Sequence, residues 1–156
     1  MSEWRIRKTS YRCPRWRHGP LFASLGIGPL PEPGSVEALS EALVVLVSGD
    51  PPQGFARIEL LADRPHLEQL SVDLDHMGQG LGRALLRAAC DWVRQAGYHE
   101  MTLATYRDVP WNGPFYLSEG FVESGGVDEW YESYGLAPEE PVMGRFGVRV
   151  LMRRHL

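Results

Sequence analysis

Gly78, Gly80 and Gly82 stand at alternate positions in HMGQGLGRALL, residues 76–86, and run straight into a stretch with helical periodicity. Glycines that open onto a helix N-terminus suit a phosphate. Their exposed backbone N–H groups, with the positive end of the helix dipole, bind an anion without a cationic side chain. Spacing decides which phosphates are excluded. A dinucleotide loop needs GxGxxG, whose third glycine allows close helix-to-strand packing, whereas Arg83 stands at that place here. A P-loop needs GxxxxGK followed by Ser or Thr, and none exists. A kinase-type loop needs a strand next and a distant lysine, but a helix follows and the single lysine is Lys8. Arg83 and Arg87 lie one helical turn apart, so they either reach an outlying phosphate or are solvated.

The elements that position this loop can be read from periodicity. HLEQLSVD, just upstream, alternates as a strand, with Leu67, Gln69 and Ser71 on one face and Glu68, Leu70 and Val72 on the other. From Gly80 to Ala96, Leu81, Leu85, Ala88 and Trp92 recur at helical spacing and Gly97 is a stop. EMTLATYR is a strand, VPWNGPFYLSE a turn and short helix ended by Gly120, and FVES and GVRVLMRR are strands. Earlier, EWRIRKT reads as a strand, the segment to Leu25 as helical, and GIGPLPEPGS as a loop. Ser35 then caps a helix carrying Val36, Leu39 and Leu43, and ALVVLVSGDPPQGFARIELLA forms an antiparallel hairpin. The segment GGVDEWYESYGLAPEEPVMG is irregular and aromatic. The order β, α, α, β, β, β, α, β, α, β, β predicts one α/β layer fold.

Composition sets the outer bounds. A chain of 156 residues fits one domain that buries roughly 68–70% of its unfolded surface. No apolar run approaches the ~18 residues of a membrane span, and the charged start MSEWRIRKTS lacks a secretory signal, so a soluble cytoplasmic protein is expected. A net charge of -4 argues against general nucleic-acid binding. Arg5, Arg7, Lys8, Arg12, Arg15 and Arg17 crowd the start against Glu3 alone, forming either a solvated face or a contact for an anionic ligand or partner. Cys13 and Cys90 are distant and lack CxxC spacing, so free thiols and no metal site are expected.

LSVDLDHMGQGLGRALL resembles motif A of the GNAT superfamily of N-acetyltransferases, R/Q-x-x-G-x-G/A, whose successive amides bind the pyrophosphate of acetyl-CoA. FYLSEGF resembles that family's motif B, in which a tyrosine lies four residues before Gly-Phe. The likeness covers residues 42 to 123 well and the two ends only by strand order. It implies an α/β GNAT acyl-CoA N-acyltransferase fold: a mixed, mostly antiparallel sheet of six to seven strands flanked by about four helices. It also implies acetyl-CoA as acyl donor, held by Met77, Gly78, Gln79, Gly80, Leu81, Gly82 and Arg83, with Leu70 and Val72 at the end of the preceding strand. Two positions depart from the pattern. Met77 replaces the usual Arg or Gln. Many members carry Asn seven residues before the motif-B tyrosine, but Val109 is there, and Asn112 is four before it. Asn112 is therefore either a cofactor contact or a helix cap.

Acetyl transfer to an amine needs a base, because an alkylammonium of pKa ~10.4 is only about 0.04% neutral at pH 7. It also needs an acid for the leaving thiolate, which a phenol of pKa ~10 suits, and a backbone N–H for the developing oxyanion. The resemblance implies Tyr116 as the acid and the amide of Val72 or its neighbour for the carbonyl. Glu68 and His66, two apart on one strand face, are the candidate bases in that order, unless they are solvated edge residues. Asp108 orients an acceptor amine or caps the next helix. Phe22, Leu25, Trp130, Tyr131 and Tyr134 wall an acceptor or pack across the last hairpin. The expected partner is a small-molecule or peptide amine, with no nucleic acid and no membrane, and a homodimer is allowed. The competing expectation is a non-catalytic acyl-CoA-binding sensor or partner module, which has no need of a phenol at position 116.

Overall fold

The computed structural model describes residues 5–6 and 126 by backbone alone and residues 42–125 and 147–156 in full. Among the described residues seven strands form one sheet: β1 (Arg5–Ile6), β2 (Val44–Ser48), β3 (Gly54–Leu61), β4 (Arg64–Val72), β5 (Glu100–Tyr106), β6 (Val122–Gly126) and β7 (Arg149–His155). Two helices accompany them among the described residues, α1 (Leu81–Gln95) and α2 (Gly113–Ser118). The expected helices before residue 42 and the aromatic segment after residue 126 lie outside the described residues.

The strand order is β1-β2-β3-β4-β5-β7-β6. Every neighbouring pair is antiparallel except β4 and β5. The β2–β3 hairpin closes where the Gln53 N–H donates to the Ser48 carbonyl at 2.7 Å. Between β3 and β4 the chain turns on Ala62 and Asp63, both left-handed at φ +47° and +60°. Such a turn usually uses Asn and Gly, so Ala-Asp gave no advance notice of the hairpin. A 3₁₀ turn, Leu74–His76, links β4 to the glycine loop.

The helix stops where expected. Gly97 adopts φ +92°, and the N–H of Tyr98 returns to the Val93 carbonyl at 3.2 Å, closing the last turn through a left-handed residue. The buried stripe of α1 differs from the expected Leu81, Leu85, Ala88 and Trp92. Leu85, Leu86, Ala89, Cys90 and Val93 are buried, while Leu81, Ala88 and Trp92 pack at its margin. The stripe covers the sheet through Val44, Leu46, Ala56, Ile58, Leu67, Met101, Leu103, Val150 and Met152, with Tyr116 and Phe121 in the same cluster.

The expected alternation of β4 is interrupted. Gln69 faces Arg57 and Leu67 faces Ile58, so Glu68 is an extra residue, a β-bulge between two regular pairs. The bulge returns Leu67 to the face of Leu70 and Val72 against α1, in place of the face predicted with Gln69 and Ser71. It leaves Glu68 beside His66 on the opposite face, their side chains 3.8 Å apart.

Candidate active site

The glycine loop ends in an open amide cradle. Gly80 caps α1 at φ +83°, and the first intrahelical bond runs from the Ala84 N–H to the Gly80 carbonyl at 3.0 Å. Helix geometry leaves the N–H groups of Leu81, Gly82 and Arg83 without an intrahelical acceptor. Gly78, at φ +73°, and Gly80 have nothing within 4 Å of where a Cβ would stand, so space opens on their side-chain side. Both glycines are required by backbone conformation rather than by crowding. No acidic residue occupies the first turn of α1, so the positive end of the helix is not neutralised there.

Met77 does not extend the cradle. Its N–H donates to the Leu74 carbonyl at 3.2 Å, closing the 3₁₀ turn, and the Gln79 side chain folds back to the Asp75 carbonyl at 3.3 Å. Beneath the cradle α1 sits tightly on the sheet. A Cβ at Gly54 would lie 2.7 Å from Leu85 Cδ1 and 3.3 Å from Leu81 Cδ2, and one at Gly82 would lie 3.5 Å from Val72 Cγ2. The start of β3 and the end of β4 thus fix the first turn of α1.

The strand that leads to the cradle, β4, pairs only briefly with β5. β4 and β5 pair at His66 with Thr102 and at Leu67 with Leu103, and their ladder goes no further, although β4 continues to Val72 and β5 to Tyr106. Beyond those pairs the facing strand edges need other hydrogen-bond partners. Leu70 and Val72 lie on the β4 side of this opening, their half-buried side chains packed on the core.

Tyr116 lies on α2. Its ring is boxed edge-on by Phe115 and Phe121, with centroids 5.1 and 5.8 Å away, and burial pushes the phenol above its usual range. It therefore holds its proton at neutral pH. The residue is both the phenol expected from motif B and part of the core. Gly113 fixes the start of its helix: a Cβ there would meet the Arg107 carbonyl oxygen at 2.2 Å. Asn112 takes the N-cap position, but its side chain makes no cap bond. Its backbone accepts from the Tyr116 N–H at 3.0 Å instead. Asp108 is exposed and also does not cap α2.

On the sheet face opposite α1, His66 and Glu68 share a polar group with Arg57 and Glu59. His66 is 1% exposed and its Nδ1 lies 2.9 Å from Thr102 Oγ1. Burial first, with the charge of Arg149 adding to it, lowers its pKa to about 4, so the ring is neutral at pH 7. Glu68, with a side chain 30% exposed, lies 3.6 Å from Arg57, and Arg57 lies 3.2 Å from Glu59. Of the two candidate bases, Glu68 is the one that solvent reaches. The acceptor-wall candidates Phe22, Leu25, Trp130, Tyr131 and Tyr134 lie outside the described residues, as does Cys13; Cys90 is a free, buried thiol.

Arg83 and Arg87 are partly exposed, 49% and 63% at the side chain, and have a protein partner that neither expectation included. Both side chains close on Glu119, Arg83 Nε at 2.7 Å and Arg87 Nε at 2.8 Å. Glu119 was not singled out from sequence, because the contact joins residues 32 positions apart and no local pattern marks it. Arg57 and Gly113 were not singled out either: Arg57 meets Glu68 across the β3–β4 pair, and Gly113 meets the Arg107 backbone across the turn into α2, and periodicity marks neither contact.

Residues 6–121 match the sequence profile of the Acetyltransferase (GNAT) family. The chain belongs to this family. Its glycine loop, α1, the β4–β5 opening and Tyr116 all fall inside the matched span. N-acetyltransferase 8F1 of Rattus norvegicus is 33% identical over 76 residues, 49% of this chain and 31% of that protein. N-acetyltransferase 8B of Homo sapiens is 39% identical over 62 residues, 40% and 27% respectively. The chain thus spans under a third of the length of these curated relatives. Among solved GNAT-fold structures, the PaiA N-acetyltransferase of Thermoplasma acidophilum in complex with coenzyme A superposes with a TM-score of 0.63 at 16% identity, covering 99% of both chains. An acetyltransferase from Bacillus anthracis str. Ames in complex with acetyl coenzyme A gives 0.61 at 17% identity over 80% of this chain and 70% of that one. These likenesses establish the GNAT fold. Among the described residues no helix is long and apolar enough to cross a membrane.

Proposed function

We propose that this GNAT acetyltransferase is a cytoplasmic, acetyl-CoA-dependent N-acetyltransferase that moves the acetyl group directly to a primary amine of a small molecule or peptide. The observation that carries the reading is the cradle: helix-start amides with no intrahelical acceptor beside left-handed Gly78 and Gly80, with open space where side chains would be. A diphosphate fits such a site by charge and by donor geometry. The coenzyme A and acetyl coenzyme A bound by the T. acidophilum and B. anthracis proteins support the same donor.

Acetyl-CoA, when bound, supplies a carbonyl activated as a thioester. The chain's own groups do the rest. Amides from Gly78 to Arg83 hold the diphosphate, and a backbone N–H near Val72, on the open edge of β4, faces the carbonyl oxygen. Glu68, directly or through water, takes the proton from the acceptor ammonium. His66 is buried and neutral, so it orients Glu68 rather than competing for that proton. Tyr116, kept protonated by burial, returns a proton to the leaving sulfur. Asp108, exposed at the end of β5, attracts the cationic acceptor. No nucleic acid is required by this scheme.

The test is thiol release from acetyl-CoA against a panel of amines covering aminosugars, polyamines, amino acids, aromatic amines and peptide N-termini. At least one class should accelerate release, and Tyr116→Phe should suppress that acceleration. Tight acetyl-CoA binding with no acceleration by any class would instead favour a non-catalytic acyl-CoA-binding module.

A further inference from the structure

Glu119 breaks two local rules at once. Its carboxylate is 3% exposed and belongs to the C-cap residue of α2, where the helix dipole disfavours negative charge. Its partners Arg83 and Arg87 stand in the first two turns of α1, where the dipole disfavours positive charge. Both carboxylate oxygens are taken. Arg87 donates through Nε to Oε2 at 2.8 Å and through a terminal nitrogen to Oε1 at 3.2 Å, while Arg83 Nε meets Oε1 at 2.7 Å. Arg83 also donates to Ser118 Oγ at 3.4 Å, and that hydroxyl donates to the Phe115 carbonyl at 2.6 Å. The Arg87 hydrogen bond, against the opposing effect of burial, holds the Glu119 carboxyl below its usual range. An apolar side chain could fill this place without desolvating an ion. The charge therefore calls for a reason beyond packing.

Connectivity supplies one. Arg83 contributes both a cradle amide, at its backbone, and a clamp guanidinium, at its side chain. Glu119 contributes the clamp carboxylate, and its N–H donates to the Tyr116 carbonyl at 3.0 Å. One short hydrogen-bonded path thus runs from the anion-binding amides to the turn that carries the phenol. An anion on the cradle would also supply the negative charge missing from the first turn of α1, easing the conflict between the dipole and the two arginines. The clamp is favoured more when the cradle is filled than when it is empty, which is the differential interaction that coupling requires.

We propose that Glu119 is a positioning residue that couples occupancy of the cradle to ordering of the Tyr116 helix, through its clamp on Arg83 and Arg87. This rests on the reading of Gly78–Arg83 as the coenzyme A cradle. The experiment is amide hydrogen exchange on the full chain with and without saturating coenzyme A. In wild type, coenzyme A should slow exchange in peptides spanning 78–86 and 113–121 by roughly fivefold or more, as expected when a locally opening unit is stabilised. In Glu119→Gln, protection at 78–86 should persist and protection at 113–121 should vanish, with the Kd for coenzyme A from calorimetry changing by less than about threefold. Arg87→Gln, altering a side chain that is 63% exposed, should lose part of the 113–121 protection, and it carries the test if Glu119→Gln does not fold. Retention of full protection at 113–121 in the variants overturns the coupling, as does its absence from wild type when 78–86 is protected. Absence of protection at 78–86 in wild type overturns the cradle reading, and the coupling with it.

Discussion

The acid role proposed for Tyr116 needs a phenol that holds its proton until the sulfur leaves, and burial between Phe115 and Phe121 keeps this one protonated. Tyr116→Phe keeps the ring in that box and removes only the donor. Turnover in the amine-stimulated assay should fall by about 10²-fold, the scale of a lost general acid. The Kd for acetyl-CoA should stay within about threefold, since the substitution removes no cradle donor. His66 makes a prediction of a different kind. Its folded pKa, about 4, lies below the ordinary 6.5, so the unfolded chain takes up the proton first as pH falls. The stability gained by keeping His66 neutral is complete above pH 6.5 and is lost progressively as pH drops towards 4. Its full size is on the order of 3 kcal/mol, from 1.36 kcal/mol per pKa unit. Urea unfolding from pH 7 to 4 should therefore show a steeper loss in wild type than in His66→Gln. Glu119 and Glu123, whose pKa values are lowered by Arg87 and Arg107 respectively, lose their contribution only below about the ordinary carboxylate range. Equal slopes for the two proteins between pH 6.5 and 5 would refute the assignment to His66.

Elements position these residues through glycines whose reasons differ. Gly113 is required by contact, because any Cβ would run into the backbone of Arg107; Gly113→Ala must shift the start of α2. A loss of about 3 kcal/mol in urea unfolding is expected, at the upper end for overpacking, together with reduced turnover as Tyr116 moves. Gly80 is required by conformation and by what must fit beside it. Gly80→Val should raise the Kd for acetyl-CoA at least about tenfold, through strain at positive φ and occupation of the cradle. Met77→Ala should leave it nearly unchanged, because the Met77 N–H is already committed to Leu74; equal effects of the two substitutions in calorimetry would remove the cradle from its assigned place. Local signals explain why so much of this level was legible. Three glycines ahead of helical periodicity, Gly97 after it, and Gly120 before Phe121 mark their elements within a few residues. The bulge at Glu68 carries no such mark, since neither neighbour is Gly or Pro, and strict alternation therefore put Leu67 on the wrong face. The clamp of Glu119 on α1 and the insertion of β7 between β5 and β6 depend on distant pairings, which periodicity does not encode.

At the scale of the whole molecule, the sheet is antiparallel except where β4 and β5 meet, and that ladder stops after two residue pairs. The opening divides the described sheet into β1 to β4 on one side and β5, β7 and β6 on the other, with α1 packed across both, its cradle following β4 and Tyr116 following β5. A ligand held by the cradle and lying in the opening would touch both parts. It would therefore stabilise the native chain as a whole instead of one loop. Ligand linkage sets the size of that effect: at 100 times Kd, binding to the native state alone adds about 2.7 kcal/mol. For a chain of this size each kcal/mol raises Tm by roughly 2–4 °C, so acetyl-CoA at that concentration should raise Tm by about 5–10 °C. The same concentration of a cradle-only anion such as inorganic pyrophosphate should raise it less, because it fills the α1 end without bridging the opening. Differential scanning calorimetry with each ligand at the same concentration, about 100 times the Kd for acetyl-CoA, compares them. A larger shift with acetyl-CoA indicates that contacts in the opening, beyond those of the diphosphate, add to its affinity for the native chain. Equal shifts would confine binding to the helix N-terminus and leave the opening between β4 and β5 without a ligand role.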